Sequence, residues 1–141
     1  MQVLCRSREN VVVQSWSKDG VKTWSKIIAT RVPNPNAGTD AVTLKDGRHL
    51  LVYNNHTMKR GKFPRGRNML NVSISADGKI WKPVLTLEQS HGEFSYPAVI
   101  QTKNGKVHIT YTCQRQSVKH AVLDAEKLVV ETNGVPVNIN R

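Results

Sequence analysis

The chain has 141 residues, enough for one domain, and its 21 Lys and Arg residues against 10 Asp and Glu residues give a formal net charge of +11. This positive excess favours anionic partners, such as an acidic sugar or a nucleic acid. No apolar stretch is long enough to cross a bilayer as a helix. The five histidines and two cysteines lack metal-ligand spacing, so neither a metal site nor a cofactor is predicted.

The first predicted unit is a set of short strands at the start of the chain. Strands are predicted at Gln2–Arg6, Val11–Trp16 and Trp24–Ile28. The last two are joined by a turn at 17–20 with the sequence Ser-Lys-Asp-Gly. Glycine tolerates positive φ in such a turn, and the Ser and Asp side chains can bond its backbone.

The second unit contains four predicted strands: Ala41–Leu44, His49–Tyr53, Asn68–Ile74 and Trp81–Leu87. An Asp-Gly pair between the first two predicts a hairpin, because that turn needs positive φ. Part of the third strand alternates apolar and polar residues, as a half-buried strand does. Before the fourth strand, residues 75–78 form a second Ser-x-Asp-Gly turn.

The third unit repeats the hairpin scheme. Its strands are predicted at Tyr96–Gln101, Val107–Thr112 and Ser117–Leu123. An Asn-Gly pair at 104–105 lies between the first two strands. Beyond them, Glu126–Val130 fits either a strand extension or one helical turn, and the polar residues 131–141 predict a tail.

A fixed offset of 58 residues links the units. It separates Ser17 from Ser75, Asp19 from Asp77, and Asp46 from Asn104. A constant period indicates a repeated structural unit, and four-stranded sheets repeated radially form β-propellers of roughly four to eight blades. The expected fold is all-β, a partial β-propeller of two and a half to three four-stranded antiparallel blades at 1–30, 38–88 and 94–130, in one domain over 1–141.

Both turns resemble the Asp-box, Ser-x-Asp-x-Gly-x-x-Trp, of the sialidase (neuraminidase) superfamily, also called the BNR repeat. The matching residues are Ser17, Asp19, Trp24, Ser75, Asp77 and Trp81. The segment Phe94–Gln101 is similar to the predicted-neuraminidase branch. The resemblance implies the C-terminal portion of a six-bladed propeller whose other blades belong to a longer parent chain. It implies a structural role for the Asp-boxes, with each Trp packed between neighbouring sheets.

The resemblance also implies a site for a carboxylated sugar. Arg6 and Arg67 resemble the second and third arginines of the family's carboxylate-binding triad. Asp40 lies in a segment similar to the family's corresponding blade and is a further substrate-binding candidate. A guanidinium fork matches a carboxylate with two parallel hydrogen bonds. An acidic glycan is therefore the expected partner.

The chain departs from the family at the reacting groups. The nucleophilic tyrosine aligns with Phe94, and its partner glutamate aligns with Thr112. The resemblance places three further family residues in blades that precede Met1: the first arginine, the acid that protonates the leaving group and the glutamate that activates the tyrosine. The resemblance therefore implies no useful turnover by this chain alone.

Tyr96 and Glu93 are the candidate catalytic residues that remain. Residues two apart on a strand face the same way, so Tyr96 is expected on the same face as Phe94, about 7 Å along the strand. Glu93 is expected on the other face unless the strand start is bulged. Tyr96 beside an acidic residue would act as nucleophile or acid/base; the alternative is a core or inter-blade tyrosine with a bonded hydroxyl.

Three functions stay open at this point. The leading one is the C-terminal part of a sialidase-like, glycan-acting protein. A non-catalytic glycan-binding or interaction propeller is favoured by Phe94 and Thr112, and a polysaccharide-lyase-like propeller is kept open by His91 and Tyr96. The basic loop 59–67 suggests a nucleic-acid patch or a solvated loop. Nucleic acid is the less favoured partner, because no RNA-binding aromatic pattern accompanies it.

Overall fold

The structure is a computed structural model that describes residues 1–58, 66–130 and 137–138. Within these ranges it has eleven strands and one short 3-10 turn, so the fold is all-β as expected. The strands form three sheets, which are antiparallel apart from one short added strand. The same ranges contain no helix with the length and hydropathy needed to cross a membrane.

The first sheet orders β1 (Gln2–Cys5), β2 (Val11–Trp16) and β3 (Ile28–Pro33) side by side. The strand predicted at Trp24–Ile28 is wrong, because β3 begins where that strand was expected to end. The reason is local: the Ser25 N–H donates to the Trp16 carbonyl at 2.8 Å, but the Trp16 N–H donates to the Ser25 hydroxyl at 3.0 Å. One side-chain bond therefore replaces a ladder bond here, and regular pairing starts at Ile28.

The second sheet contains β4 (Asp40–Thr43), β5 (His49–Tyr53), β6 (Met69–Ser75), β7 (Lys82–Gln89) and β11 (Val137–Asn138). Strands β4 to β7 pair in chain order and antiparallel, and β11 pairs with β7 in parallel. The four strands predicted for this unit are confirmed; the bounds of β5 are as predicted, and those of the other three differ by one or two residues.

The third sheet orders β8 (Phe94–Gln101), β9 (Lys106–Cys113) and β10 (Ser117–Asp124). A 3-10 turn at Ala125–Lys127 follows, with the Asp124 side chain accepting from the Glu126 N–H at 3.2 Å. Of the two alternatives predicted for Glu126–Val130, one helical turn is therefore correct for its first two residues.

Two apolar cores hold the sheets face to face. The core between the second and third sheets includes Leu50, Val52, Val72, Val99, Ile109 and Tyr111. The core between the first and second sheets contains Val12, Val32, Leu51 and Tyr53. Leu50 and Leu51 are neighbours in β5 and face opposite cores, since successive side chains of a strand alternate. The middle sheet is thus buried on both faces, and the sheets stack in chain order as in a β-propeller-like fold.

Because the strands are antiparallel, their connections alternate between two ends of the stack. One end, called the turn end here, holds the connections 17–27, 44–48, 76–81 and 102–105. The other, called the loop end, holds the described connections 6–10, 34–39, 54–58, 66–68, 90–93 and 114–116. Both Ser-x-Asp-Gly turns lie at the turn end, and all the candidate sugar-contacting residues lie at or next to the loop end.

Candidate functional site at the loop end

The centre of the loop end is a buried carboxylate between two arginines. Glu93, whose exposed fraction is 3%, accepts a hydrogen bond on Oε1 from Arg67 Nη1 at 3.1 Å and another from the Ser95 hydroxyl at 3.0 Å. Its Oε2 lies 3.0 Å from Nε of Arg115. Three donors from three separate positions therefore hold one carboxylate.

These contacts set the charge of the site. Burial acts to raise the pKa of Glu93, but the hydrogen bonds from Arg115, Ser95 and Arg67 outweigh it and lower that pKa from its ordinary 4.5. Glu93 is therefore ionised at neutral pH. One negative charge against two guanidinium groups leaves the cluster with an excess positive charge.

Arg67 is fixed at its backbone and retains donors on its side chain. Its carbonyl accepts from the Phe94 N–H at 2.8 Å, which ties the 66–68 connection to the start of β8. Among the described residues, its Nη2 makes one long contact, 3.4 Å, to the carbonyl of Asn36. Its Nε is buried and has no acceptor among the described residues, which is uncommon for a buried donor.

Tyr96 lies on a β-bulge, where Tyr96 and Pro97 together face Tyr111 of β9. Its φ is +52°, an uncommon value for a residue other than glycine. The bulge overturns the expectation that Tyr96 shares a face with Phe94, since Tyr96 is 58% exposed and Phe94 only 2%. A core position is also wrong for Tyr96, because its side chain is exposed. An inter-blade position agrees with the contact between its ring and Gly38, in the connection that leads to the second sheet.

The segment between β3 and β4 brings Arg67 and Tyr96 to one place. Arg67 approaches the Asn36 carbonyl, as described above, and Gly38 lies against the Tyr96 ring. A Cβ at Gly38 would stand 3.3 Å from Cδ1 of Tyr96, so glycine permits this close approach. The two side chains therefore flank the same short loop.

Asp40 connects two sheets at the start of β4. Its Oδ2 accepts from the Val99 N–H of β8 at 2.8 Å, just beyond the bulge, and its Oδ1 accepts from the Ala41 N–H at 3.0 Å. Both carboxylate oxygens thus have main-chain donors. This arrangement fixes β4 against β8, and a sugar would have to compete for those oxygens.

Arg6 lies in the β1–β2 connection at the same end of the stack. It is exposed and has no hydrogen bond or ion pair within the described part of the chain. The connection itself is held by Asn10, whose carbonyl accepts from the Asn34 N–H at 2.9 Å and whose Oδ1 accepts from the Met58 N–H at 2.6 Å. The basic stretch 59–65, the other expected feature here, lies outside the described residues.

Sequence reasoning missed Arg115. This residue is in the β9–β10 turn, its side chain is 70% exposed, and its Nε pairs with Glu93. A signal was present: the hairpin centred on Asn104-Gly105 pairs Gln101 with Val107, and this register, extended without a bulge, places Glu93 opposite Arg115. The bulge at Tyr96 shifts the pairing by one residue, so that the Gln114 N–H donates to the Glu93 carbonyl at 2.7 Å.

Phe94 stands where the resemblance places a nucleophile, and it belongs to the apolar core between the second and third sheets. The ammonium of Lys119 lies 5.7 Å from its ring centroid. Phe94 therefore has a packing role, and the exposed phenol nearest to it in sequence is Tyr96.

Hydrogen bonds of similar type hold the two turns at the opposite end. In the first, the Ser17 hydroxyl donates to Asp19 Oδ1 at 2.9 Å, and the Thr23 N–H donates to the same oxygen at 3.0 Å. In the second, the Ser75 hydroxyl donates to Asp77 Oδ1 at 3.0 Å, as do the N–H groups of Lys79 and Ile80 at 2.8 and 2.9 Å.

The tryptophans of the two turns differ in their surroundings. Trp81 packs against the core between the first and second sheets. Trp24 is 41% exposed and belongs to neither core. Packing between neighbouring sheets therefore holds for Trp81 and not for Trp24.

The family comparison agrees with this architecture. The family model of a BNR repeat-like domain matches residues 1–109, which cover both Asp-box turns and the strands around them. No curated protein matches the chain. On its repeated turns, its stacked antiparallel sheets and this match, the chain belongs to the BNR repeat-like domain family of the sialidase-like superfamily.

Proposed function

We propose that this chain is the C-terminal part of a sialidase-like, glycan-acting protein of the predicted-neuraminidase branch, and that its loop end recognises a carboxylated sugar. The observation that carries the proposal is the pair of guanidinium groups, from Arg67 and Arg115, on the single buried carboxylate of Glu93. Their positive charge exceeds that of their partner, and an anionic sugar would compensate it.

Each residue has a proposed role. Arg67 and Arg6 bind the sugar carboxylate, as the resemblance implies, and Arg115 adds a third guanidinium whose Nη groups have no bond to a described residue. Tyr96, with an exposed hydroxyl on strained backbone, contacts the ring or the glycosidic oxygen. Glu93 is better suited to holding the arginines than to proton transfer, because its pKa is lowered and donors occupy both oxygens.

Asp40 has a proposed role of the same kind. Its oxygens accept from the main chain of β4 and β8, so it positions the Tyr96 bulge against the Gly38 loop. Direct sugar binding by Asp40, the role first expected, would require it to release the Val99 N–H.

The first test measures binding. Calorimetric titration with sialic acid and glucuronic acid should give binding that neutral galactose does not. Arg67→Gln should weaken it about tenfold or more, since a charged hydrogen-bonded pair is worth about 1.5–3 kcal/mol. Arg48→Gln is the matched control, because Arg48 pairs with Asp46 at the turn end. Equal affinity for galactose, or equal loss in both variants, would refute carboxylate recognition.

The second test measures turnover. No counterpart of the leaving-group acid or of the first triad arginine is found in the 141 residues, so fluorogenic sialosides should stay intact with the purified chain. Hydrolysis that Arg67→Ala abolishes would overturn the expected inactivity.

A second candidate function is glycan binding without catalysis, in which the longer parent protein would also lack hydrolytic activity. The burial of Phe94 at the nucleophile position favours it. The parent protein distinguishes the two: cleavage of a bound sialoside supports the first candidate, and binding without cleavage supports the second.

A further inference from the structure

A cleft of about 520 Å³ lies between the first and second sheets, beside the core that joins them. Residues 29–33 of β3 form one wall, so the cleft follows that strand for roughly 13 Å. Residues 79–81, in the Asp-box turn of the second sheet, contribute to the opposite wall. Pockets for small molecules commonly measure about 300–1,000 Å³, so this cleft is large enough for a small ligand.

The described residues that line the cleft include two cations and no acid. Arg31 belongs to the β3 wall and Lys79 to the opposite wall, and both are exposed. Neither side chain has a hydrogen bond or an ion pair with a described residue. Asp77, in the same turn as Lys79, does not line the cleft. Its pKa is lowered first by hydrogen bonds from the N–H groups of Ile80 and Lys79, and least by the charge of Lys79. Two positive charges on opposite walls are therefore available to an anion.

The neutral polar groups of the cleft add hydrogen-bonding capacity. Trp81 lines it, and the indole N–H of this residue is buried without an acceptor among the described residues. A buried donor without a partner is uncommon and indicates a group that the protein itself does not supply. Asn55 also lines the cleft, and its side-chain amide has no hydrogen bond to a described residue. The cleft thus combines two cations, an indole ring and a free amide.

We propose that this cleft binds a sugar that carries a phosphate or sulfate ester, with the ester between Arg31 and Lys79 and the sugar ring beside Trp81. A tetrahedral ester group has three oxygens that accept hydrogen bonds, so it can bond both walls at once. A carboxylate has two oxygens in one plane and is matched by a single guanidinium fork. Asn55 would bond ring hydroxyl groups, because an amide both donates and accepts.

The first experiment locates the ligand by backbone NMR shifts of the full chain at physiological ionic strength. Glucose 6-phosphate and glucose 6-sulfate are the probes, with glucose and glucuronic acid as references. Either ester should shift residues 29–32 and 79–81, and the two references should leave these residues unshifted. Calorimetry then compares the two esters, and the tighter one identifies whether phosphate or sulfate is the natural group. Inorganic phosphate should bind more weakly than the tighter ester, because it lacks the ring.

Two variants test the charged walls. Arg31→Gln and Lys79→Gln should each weaken ester binding about tenfold, since each removes one charged hydrogen-bonding partner. Lys18→Gln is the matched control, because Lys18 is exposed in the other Asp-box turn and does not line the cleft. The same loss of charge at Lys18 should leave the affinity almost unchanged.

Four results would overturn the proposal. They are the absence of binding by both esters, equal weakening in all three variants, equally tight binding of inorganic phosphate, and shifts with glucuronic acid at residues 29–32 and 79–81. Equal weakening would mean that net charge alone attracts the ester. The proposed function is measured at Arg67, Glu93 and Arg115 instead, so either proposal can fail without the other.

Discussion

The two ends of the stack both carry ionised carboxylates, yet they hold them in different ways. At the turn end, Asp19 and Asp77 are fully exposed and bond only residues two to four positions away. At the loop end, Glu93 is buried and bonds Arg67, 26 residues away, and Arg115 on another hairpin. The first arrangement is a property of a short peptide, and the second exists only when the sheets are assembled. Local turns identify the fold, and long-range contacts create the candidate site.

The largest expected effect is on the buried carboxylate. Glu93→Ala should lower the free energy of unfolding by about 3 kcal/mol, since it leaves Arg67 and the Ser95 hydroxyl without their acceptor. Asp46→Ala at the turn end is the control; its ion pair with Arg48 is exposed, so the loss should stay below about 1 kcal/mol. Urea unfolding measures both. Equal losses would show that the two ends do not differ as described.

The two tryptophans at the turn end allow a buried and an exposed position to be compared by their effect on the free energy of unfolding. Trp81→Ala should cost about 2 kcal/mol, because it removes apolar surface from the core between two sheets. Trp24→Ala should cost less than about 0.5 kcal/mol, as is usual for surface positions. A comparable loss for Trp24 in the same unfolding experiment would mean that this side chain is covered in solution.

Acid should affect the two ends in different pH windows. The pKa of Glu93 is lowered from 4.5, so its stabilising contribution is complete above that pH and is lost as the pH falls through the lower value of the folded state. The pKa values of Asp19 and Asp77 are lowered to about 2 from 3.8, so their contribution disappears between those values. Stability is measured by urea unfolding from pH 6 to pH 2.

Two variants separate these windows. Glu93→Gln should flatten the stability profile just below pH 4.5, and the double variant Asp19→Asn, Asp77→Asn should flatten it only at lower pH. A Glu93→Gln profile parallel to that of the unaltered chain would contradict the lowered pKa of Glu93.

The smallest effect concerns the strained bulge. Tyr96→Gly should raise the free energy of unfolding by about 1 kcal/mol, because glycine adopts a positive φ without the cost that tyrosine bears. Asn36→Gly, also at positive φ, should gain less, since asparagine tolerates this region. If Tyr96→Gly is destabilising, packing of its ring on Gly38 outweighs the backbone strain.

The two ends also mark how far sequence reasoning extends. The turns around Asp19 and Asp77 were predictable, because their hydrogen bonds join residues within one turn. The exposure of Tyr96 was not, since its bulge is fixed by Asp40, a residue of another sheet, through the Val99 N–H.

The same distinction applies to single side chains. Arg115 was predictable in principle, because the register of the Asn-Gly hairpin, which pairs Gln101 with Val107, places Glu93 opposite Arg115 when it is extended without a bulge. The different environments of Trp24 and Trp81 depend on which sheet covers each turn, and no motif encodes that.

The most direct test of the account is a map of where a carboxylated sugar binds. Backbone NMR shifts are followed while glucuronic acid or sialic acid is added to the full chain, with galactose as the neutral reference. We expect shifts at Asn36–Gly38, Arg67, Glu93–Tyr96 and Arg115, with none at residues 17–24 or 75–81. Shifts confined to the turn end, or identical shifts with galactose, would contradict the assignment of the loop end as the sugar site.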